Sequence, residues 1–232
     1  MQNAALLRDT SIHLRADLSQ REVVCIDRLS EVASPEAGVT RKMIERDGGE
    51  IARATSIVRY LPGARFPTHV HALGEEFLVL EGEFADEYGR YPKGTYVRNP
   101  PGSAHAPYTD EGCVIFVKLR HMDPRDSTRV VVDTHRGQWR PGAAPGLSVM
   151  PLGGFAAEHT ALVRWDPGTC FSAHRHWGGE EVFVLDGLFE DQYGAYPAGT
   201  WLRNPHGSQH QPFSMEGCTI WVKVGHLPAV SD

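Results

Sequence analysis

The hydrophobic residues of this chain occur in short runs that end at glycine, proline or small polar clusters. Strand-like runs, rich in β-branched and aromatic residues, lie at 23–26, 39–45, 50–60, 77–80, 84–88, 95–99, 113–119 and 128–133. No sustained 3.6-residue period joins these runs, so an amphipathic helix is not indicated. Many short strands separated by turn residues predict an all-β protein, either a barrel or a sandwich.

The same pattern occurs twice. Residues 69–118 align with residues 174–223 without a gap, at a constant offset of 105 positions. A repeat of this length indicates a tandem duplication of one structural unit. We therefore predict two domains, 1–122 with an N-terminal arm and 123–232, joined near Asp123-Pro124. The run at 128–133 is expected to open the second half as a strand.

Composition narrows the class of protein. The chain has 232 residues, 41% of them hydrophobic, and a formal net charge of −6. Such a charge disfavours nucleic acid as a partner, because phosphate binding needs a basic surface. The apolar segment Ala4–Leu7 is too short for a signal peptide or a membrane span. The four cysteines form no CxxC pair, so we expect neither a thiolate zinc site nor disulfides, and a soluble cytoplasmic protein.

Three histidines and a carboxylate stand at metal-ligand spacing in the first half. His69 and His71 are two residues apart, so on a strand both side chains face the same side. Gly74 allows a turn that returns Glu75 towards them, and His105 arrives from a later strand. Three imidazoles with one anionic oxygen are a ligand set suited to a divalent transition metal.

The second half repeats this set at the same spacing, with His174, His176, Glu180 and His210. The sequence therefore predicts two divalent metal ions per chain, one in each half. Three neutral imidazoles and one carboxylate around a dication leave a net positive charge. Such a site favours a small anionic or chelating ligand.

The spacings Gly-x5-His-x-His-x3-Glu-x6-Gly and Gly-x5-Pro-x-Gly-x2-His resemble the two motifs of the cupin family, in both halves. The resemblance implies a bicupin, with two tandem jelly-roll β-barrels that each hold a metal. Thr109 and Ser214 stand where the family pattern usually has asparagine.

A narrower resemblance involves residues 83–95 and the Glu-Gly-Cys sequence that precedes the last strand of each half. These segments are similar to the cupin domain of ChrR-type anti-sigma factors, in which the same ligand set holds zinc. Relatives of that domain include dioxygenases that use ferrous iron. The sigma-binding zinc module of ChrR-type proteins is not recognisable, since the first forty residues contain only His13 and Cys25 as matching ligand types.

Three functions remain open at this point. The chain is a metalloenzyme with dioxygenase-like chemistry, a regulator of the ChrR class that acts on a sigma factor, or a scaffold in which zinc stabilises each barrel. The resemblance favours zinc, whereas iron(II), manganese or nickel would leave coordination positions open for a substrate. The four protein ligands alone do not decide the metal.

Further residues are predicted around the two sites. Glu76 and Glu181, next to the ligand carboxylates, are expected to pair with arginines on a neighbouring strand. Five side chains are predicted to line the barrel mouths, namely Tyr96, Arg98, Trp177, Trp201 and Arg203. Exposed edge strands of the barrels would allow a homodimer.

Overall fold

The protein is almost entirely β-structure in a computed structural model that describes residues 11–229. Within that range the helical element is a single 3-10 turn, η1, at Ile26–Arg28. This confirms the predicted all-β class. The described part of the chain has no helix that is long and apolar enough to cross a membrane. The predicted Ala4–Leu7 segment lies outside the described residues.

The strands follow most of the predicted runs, but the runs at 77–80 and 84–88 fall on one continuous strand, Glu75–Asp86, instead of two. In the first half they are β1 (Ile12–Leu14), β2 (Glu22–Cys25), β3 (Val32–Ala33), β4 (Val39–Gly48), β5 (Ala52–Tyr60), β6 (His69–His71), β7 (Glu75–Asp86), β8 (Gly89–Pro92), β9 (Thr95–Asn99), β10 (Ser103–His105) and β11 (Cys113–Leu119). In the second half they are β12 (Val130–Asp133), β13 (Arg140–Pro141), β14 (Leu147–Phe155), β15 (Glu158–Trp165), β16 (Thr169–Cys170), β17 (His174–Arg175), β18 (Glu180–Asp191), β19 (Gly194–Pro197), β20 (Thr200–Asn204), β21 (Gln209–His210), β22 (Phe213–Ser214) and β23 (Cys218–Val224).

Each half forms one barrel from a large sheet and a two-stranded sheet. In the N-terminal barrel the large sheet has the order β1-β4-β5-β11-β7-β9-β12, and β6 pairs with β10. In the C-terminal barrel the order is β13-β14-β15-β23-β18-β20-β2, and β17 pairs with β21. The duplicated sequence thus gives two copies of one antiparallel topology, as the repeat predicted.

The two barrels exchange one strand each. Strand β2 belongs to the first half but pairs with β20, from Glu22 opposite Arg203 to Cys25 opposite Thr200. Strand β12 belongs to the second half but pairs with β9 of the N-terminal barrel. The strand predicted at 128–133 therefore exists, and it completes the other barrel. Each large sheet therefore contains one strand from the other side of the predicted boundary between residues 122 and 123.

The barrels pack face to face through a shared core. Phe116 on β11 stacks on Phe183 of β18 at 4.7 Å between ring centroids and meets Trp221 edge-on at 5.0 Å. The neighbours Ile115 and Val117 point to the opposite side of β11, into the interior of the N-terminal barrel. Because both faces of β11 are buried, its sequence is apolar at nearly every position rather than alternating.

Candidate metal centres

The predicted ligands of the N-terminal barrel converge on one point. Antiparallel pairing of β6 with β10 sets His105 opposite His69, and His71 lies two residues further along β6 on the same face. The three imidazole centroids are 4.8, 5.1 and 4.9 Å apart. The Nε2 atoms of His71 and His105 are 2.9 Å apart, and Glu75 Oε2 lies 3.5 Å from each of them.

The turn before Glu75 depends on a glycine, as the sequence indicated. Gly74 has φ of +74°, and a Cβ atom added there would lie 2.3 Å from the sulfur of Met122. Only glycine adopts this conformation without strain and fits under the Met122 side chain. The turn starts β7 with Glu75 facing the histidines.

Hydrogen bonds at the outer ring nitrogens determine which nitrogen of each histidine faces inward. His105 Nδ1 is 3.0 Å from the Asp86 carboxylate, and His69 Nδ1 is 3.0 Å from the Pro67 carbonyl. Both partners only accept, so each Nδ1 carries the proton and each Nε2 presents a lone pair to the centre. The pKa values of two of the rings are shifted in opposite directions. Burial lowers the pKa of His71. In His105 the effect of burial is outweighed by the hydrogen bond to Asp86 and the charge of Glu75, which raise the pKa.

The ligand carboxylate is held from outside by a chain of polar groups. Asn99 Nδ2 donates to Glu75 Oε2 at 3.1 Å, and Arg129 Nε donates to Asn99 Oδ1 at 3.2 Å. Arg129 also donates to the Tyr91 hydroxyl at 2.7 Å, which in turn donates to Asp86 at 2.8 Å. One guanidinium therefore supports both the Glu75 arm and the Asp86 arm of the site.

The C-terminal barrel repeats the geometry. Its imidazole centroids, for the His174, His176 and His210 rings, are 4.6, 5.0 and 4.8 Å apart. The Nε2 atoms of His176 and His210 are 2.9 Å apart, and Glu180 Oε2 lies 3.5 and 3.6 Å from them. Asn204 donates to Glu180 at 2.9 Å.

The outer support of this second site comes from the first half of the chain. Arg21, just before β2, donates to Asn204 Oδ1 at 3.1 Å and to the Tyr196 hydroxyl at 2.6 Å. Tyr196 donates to Asp191, which lies 3.3 Å from His210 Nδ1. The strand exchange thus places an arginine of each half behind the ligands of the other half.

Sequence reasoning missed Arg21 and Arg129. Both immediately precede a strand that leaves its own half, so nothing in their local sequence indicates which site they serve. An arginine precedes a similar short strand in each half, and this repetition was the available signal. The two arginines are 108 positions apart, however, whereas the aligned repeats have an offset of 105 positions.

Four of the five predicted mouth residues lie elsewhere, and the prediction for them was wrong. On β9, Val97 and Asn99 face the barrel interior, so strand alternation turns Tyr96 and Arg98 towards the other barrel, where both are fully buried. Trp201 and Arg203 on β20 are buried in the same way in the C-terminal barrel. The fifth residue, Trp177, is 71% exposed and lines the cavity at the second site.

The buried arginines and the second glutamate of each pair form ion pairs between the barrels. Arg98 lies 3.4 Å from Glu76 and donates to Asp126 at 2.7 Å and Glu158 at 2.6 Å. The expected pairing of Glu76 with an arginine is therefore confirmed. Lys223 of the other half is 3.0 Å from Glu76, so its ammonium adds a second positive charge, besides that of Arg98, to this acidic cluster.

The corresponding glutamate of the second half has different partners. Glu181 pairs with Lys118 at 2.5 Å and with His226 at 3.2 Å, and not with Arg203, which pairs with Glu45 instead. The hydroxyl of Thr109, at the position where the resembling family has asparagine, donates to the Glu83 carbonyl. The Thr109 hydroxyl therefore bonds to the backbone rather than to the ligand cluster.

A cavity of about 480 Å³ opens beside the second site. His174, His176 and Glu180 line one side of it, and the rest is mostly apolar, including Trp165, Phe171 and Ile220. A pocket of this size with a few convergent polar groups is typical of a site for a small organic ligand.

Comparison with known proteins agrees with the two-barrel architecture. The family model described as ChrR Cupin-like domain matches residues 19–123 and again residues 127–228. No curated protein matches significantly.

Solved structures similar to this chain share low sequence identity and therefore show the fold alone. A candidate dioxygenase from Nostoc punctiforme is 15% identical with a TM-score of 0.75, over 92% of this chain and 85% of that one. Ylba from E. coli is 13% identical with a TM-score of 0.69, over the full length of both chains. An oxalate decarboxylase from Bacillus subtilis, with Mn(II) centres, is 14% identical with a TM-score of 0.59, over 90% of this chain and 78% of that one.

Proposed function

The chain belongs to the ChrR cupin-like domain family, and on that premise we propose that it is a metal-dependent enzyme that acts on a small oxygenated substrate, in the manner of a dioxygenase. The observation that carries the proposal is the convergence of three imidazoles and one carboxylate beside an apolar cavity. Support comes from the three histidines that lie together in each barrel, with a glutamate oxygen 3.5 Å from one of them, and from the cavity beside the second set.

The donor sets fit a divalent cation. In the N-terminal barrel the Nε2 lone pairs of His69 and His105 point inward, and a third imidazole and the Glu75 carboxylate face them. Four acceptors this close in a buried site repel one another unless a proton or a cation lies between them. His69, His71, Glu75 and His105 would hold one ion, and His174, His176, Glu180 and His210 a second.

A bound ion of this kind supplies Lewis acidity and, where its preferred geometry has more than four positions, room for a substrate oxygen and dioxygen. The protein's own residues keep the site prepared. Asn204 and Asp191 orient Glu180 and His210, which limits the reorganisation needed on binding. The apolar wall around Phe171 and Ile220 excludes water and accepts the hydrocarbon part of a ligand.

Metal identity separates this proposal from its main alternative. Four protein ligands saturate tetrahedral zinc, which suits a structural or sensory site. The match to a ChrR cupin-like model in both halves favours, as a second candidate, a zinc-dependent regulator that acts on a protein partner such as a sigma factor. Iron(II), manganese or nickel would instead support the enzyme.

The deciding experiment begins with elemental analysis of protein purified without added metal. Oxygen uptake is then measured after iron loading, with a panel of diketones and keto acids. Such substrates suit a dioxygenase because both atoms of dioxygen enter the products and no separate reductant is needed. The control is the double variant His71→Gln/His176→Gln, which removes one equivalent ligand from each site.

The enzyme proposal predicts oxygen uptake that depends on substrate and is lost in the double variant. Zinc at two ions per chain together with uptake no faster than in the double variant would refute it. Recovery of a sigma factor with the zinc form would then support the regulator. We place the activity in a reducing compartment such as the cytoplasm, supported by four unpaired cysteines.

A further inference from the structure

Two arginines on β4 face the interior of the N-terminal barrel. Antiparallel pairing sets Arg41 opposite Val58 and Arg46 opposite Ala54, and cross-strand partners share a face of the sheet. Val58 packs against the interior core of this barrel, and Ala54 is buried. A bulge between Met43 and Glu45 brings Arg46 onto the same face as Arg41 although their spacing is odd.

Arg46 lies at the level of the candidate metal centre. Across the sheet, Arg46 is paired with Ala54, Ala54 with Leu119, and Leu119 with the ligand Glu75. Three strand spacings correspond to about 14 Å between backbones along the curved wall. An arginine side chain and a small two-ended ligand can together bridge that distance.

The two guanidinium groups share a single carboxylate. Glu50, in the turn after β4, lies 2.8 Å from Arg41 Nη2 and 4.0 Å from Arg46 Nη2. Its side chain is 61% exposed, whereas that of Arg46 is only 4% exposed. The hydrogen bond from Arg41 lowers the pKa of Glu50, and burial followed by the charge of Arg41 lowers the pKa of Arg46.

The pair is not fully satisfied. The Nε atoms of Arg41 and Arg46 are both buried without a hydrogen-bond partner. Arg46 is buried and also donates to the Gly49 carbonyl, whereas Arg41 is partly exposed. Two cations with one exposed anion leave an excess positive charge, and each arginine keeps one buried Nε donor free. Such groups are costly to bury unless an anion reaches them.

The second barrel shows that the fold does not require these arginines. At the equivalent positions of β14, Val149 is paired with Val163 and Gly154 with His159. The same topology therefore forms with a small apolar residue and a glycine in place of the arginines. The difference distinguishes the two sites chemically, because the ligand histidines and glutamates are the same in both.

We propose that Arg41 and Arg46 form an anion subsite of the N-terminal barrel, which binds one carboxylate of a small dicarboxylate or keto acid. The other oxygenated end of that ligand faces His69, His71, His105 and Glu75. Glu50 occupies the subsite until the ligand displaces it onto the exposed turn. This inference rests on the proposed function, since it names the substrate class of one of the two sites.

The test is calorimetric titration of metal-loaded protein with malonate, and with malonamide as the uncharged analogue. Malonate is expected to bind, and malonamide is not. Arg46→Gln is expected to weaken malonate binding about tenfold or more, through loss of a charge-assisted bond. Glu50→Gln keeps the size of the side chain but removes the competing charge, so it is expected to tighten binding about threefold.

The two variants give opposite signs only if the arginines serve a ligand. If the cluster merely stabilises the turn, Glu50→Gln lowers the unfolding temperature and leaves malonate affinity unchanged or weaker, which overturns the proposal. Equal binding of malonate and malonamide also overturns it. If Arg46→Gln fails to fold, Arg41→Gln, at a less buried position, is used with the same expectation.

Metal content and oxygen uptake, measured on the same samples, separate this inference from the proposed function. Malonate binding that responds to Glu50→Gln and Arg46→Gln in protein with unchanged metal content supports the subsite even if no oxygen is consumed. Arg59→Gln, at a half-exposed position outside the pair, is the matched control and is expected to bind malonate like the parent protein.

Discussion

Replacing Arg129 with methionine should weaken metal binding in the N-terminal barrel and leave the C-terminal barrel unchanged. Arg129 lies in the second half of the chain, but its hydrogen bonds run to Asn99 and Tyr91 of the first half. Methionine keeps the aliphatic length of the side chain and removes the donors. Asn99 then loses the partner that orients its amide towards Glu75.

The expected magnitude follows from the position of Arg129 outside the ligand sphere. Loss of an outer partner of a metal ligand typically costs about 10- to 100-fold in affinity. Arg129 is exposed, so water can replace some of its hydrogen bonds. We therefore expect a loss near the lower limit, about tenfold or about 1.4 kcal/mol.

The assay is competition for metal against a chromophoric chelator, performed on apo protein. A His176→Gln background removes the C-terminal site, so that the remaining affinity belongs to the N-terminal site. Arg21→Met is the matched control, because Arg21 supports the C-terminal site from the first half. It should leave the N-terminal affinity of the His176→Gln protein unchanged.

The reasoning fails if Arg129→Met and Arg21→Met weaken the same site, or if each affects the site of its own half. It also fails if neither changes affinity while both lower stability. In that case the arginines only anchor the exchanged strands. A partial recovery in Arg129→Lys, which restores a charged donor without the planar fork, would support the positioning role.

Three further outcomes are expected. Phe116→Ala, which removes a ring stacked between the barrels, should lower the free energy of unfolding by about 3–5 kcal/mol in urea titrations, and a loss under 1 kcal/mol would show that the shared core is not a main source of stability. Burial lowers the pKa of His121 to about 4, below its ordinary value of 6.5, so the unfolded chain binds the extra proton first. The contribution of His121 to the stability of the chelator-treated protein is therefore complete above pH 6.5 and is lost as the pH falls towards 4, and His121→Gln should flatten that part of the profile. His71→Gln alone should halve the metal content measured by elemental analysis, whereas retention of two ions per chain would exclude His71 as a ligand.

Much of the site could be predicted because its information is local. His69 and His71 share a face through strand period alone, and the conformation of Gly74 follows from the absence of a side chain. The constant offset of 105 then transfers each ligand to the second half. In both barrels the three histidines that could hold a metal are the predicted ones, and the third imidazole in each arrives by the predicted later strand.

The pocket residues could not be predicted in the same way. Strands β9 and β20 are buried at every position, so their sequences carry no alternation of polar and apolar residues that marks an inward face. A polar residue such as Arg98 is then equally compatible with the barrel interior and with the contact between barrels. Its real partners, Asp126 and Glu158, come from other segments of the chain.

The sequence by itself determined most strands, the duplication and the two candidate ligand sets, since each depends on spacing along one short segment. Only the tertiary structure decided that β2 and β12 change barrels, and with them that Arg21 and Arg129 each support the ligands of the other half. Short strands of similar composition can pair with either sheet edge. The choice depends on the packing of the two barrels against each other, through side chains such as Phe116 and Phe183 that lie far apart along the chain.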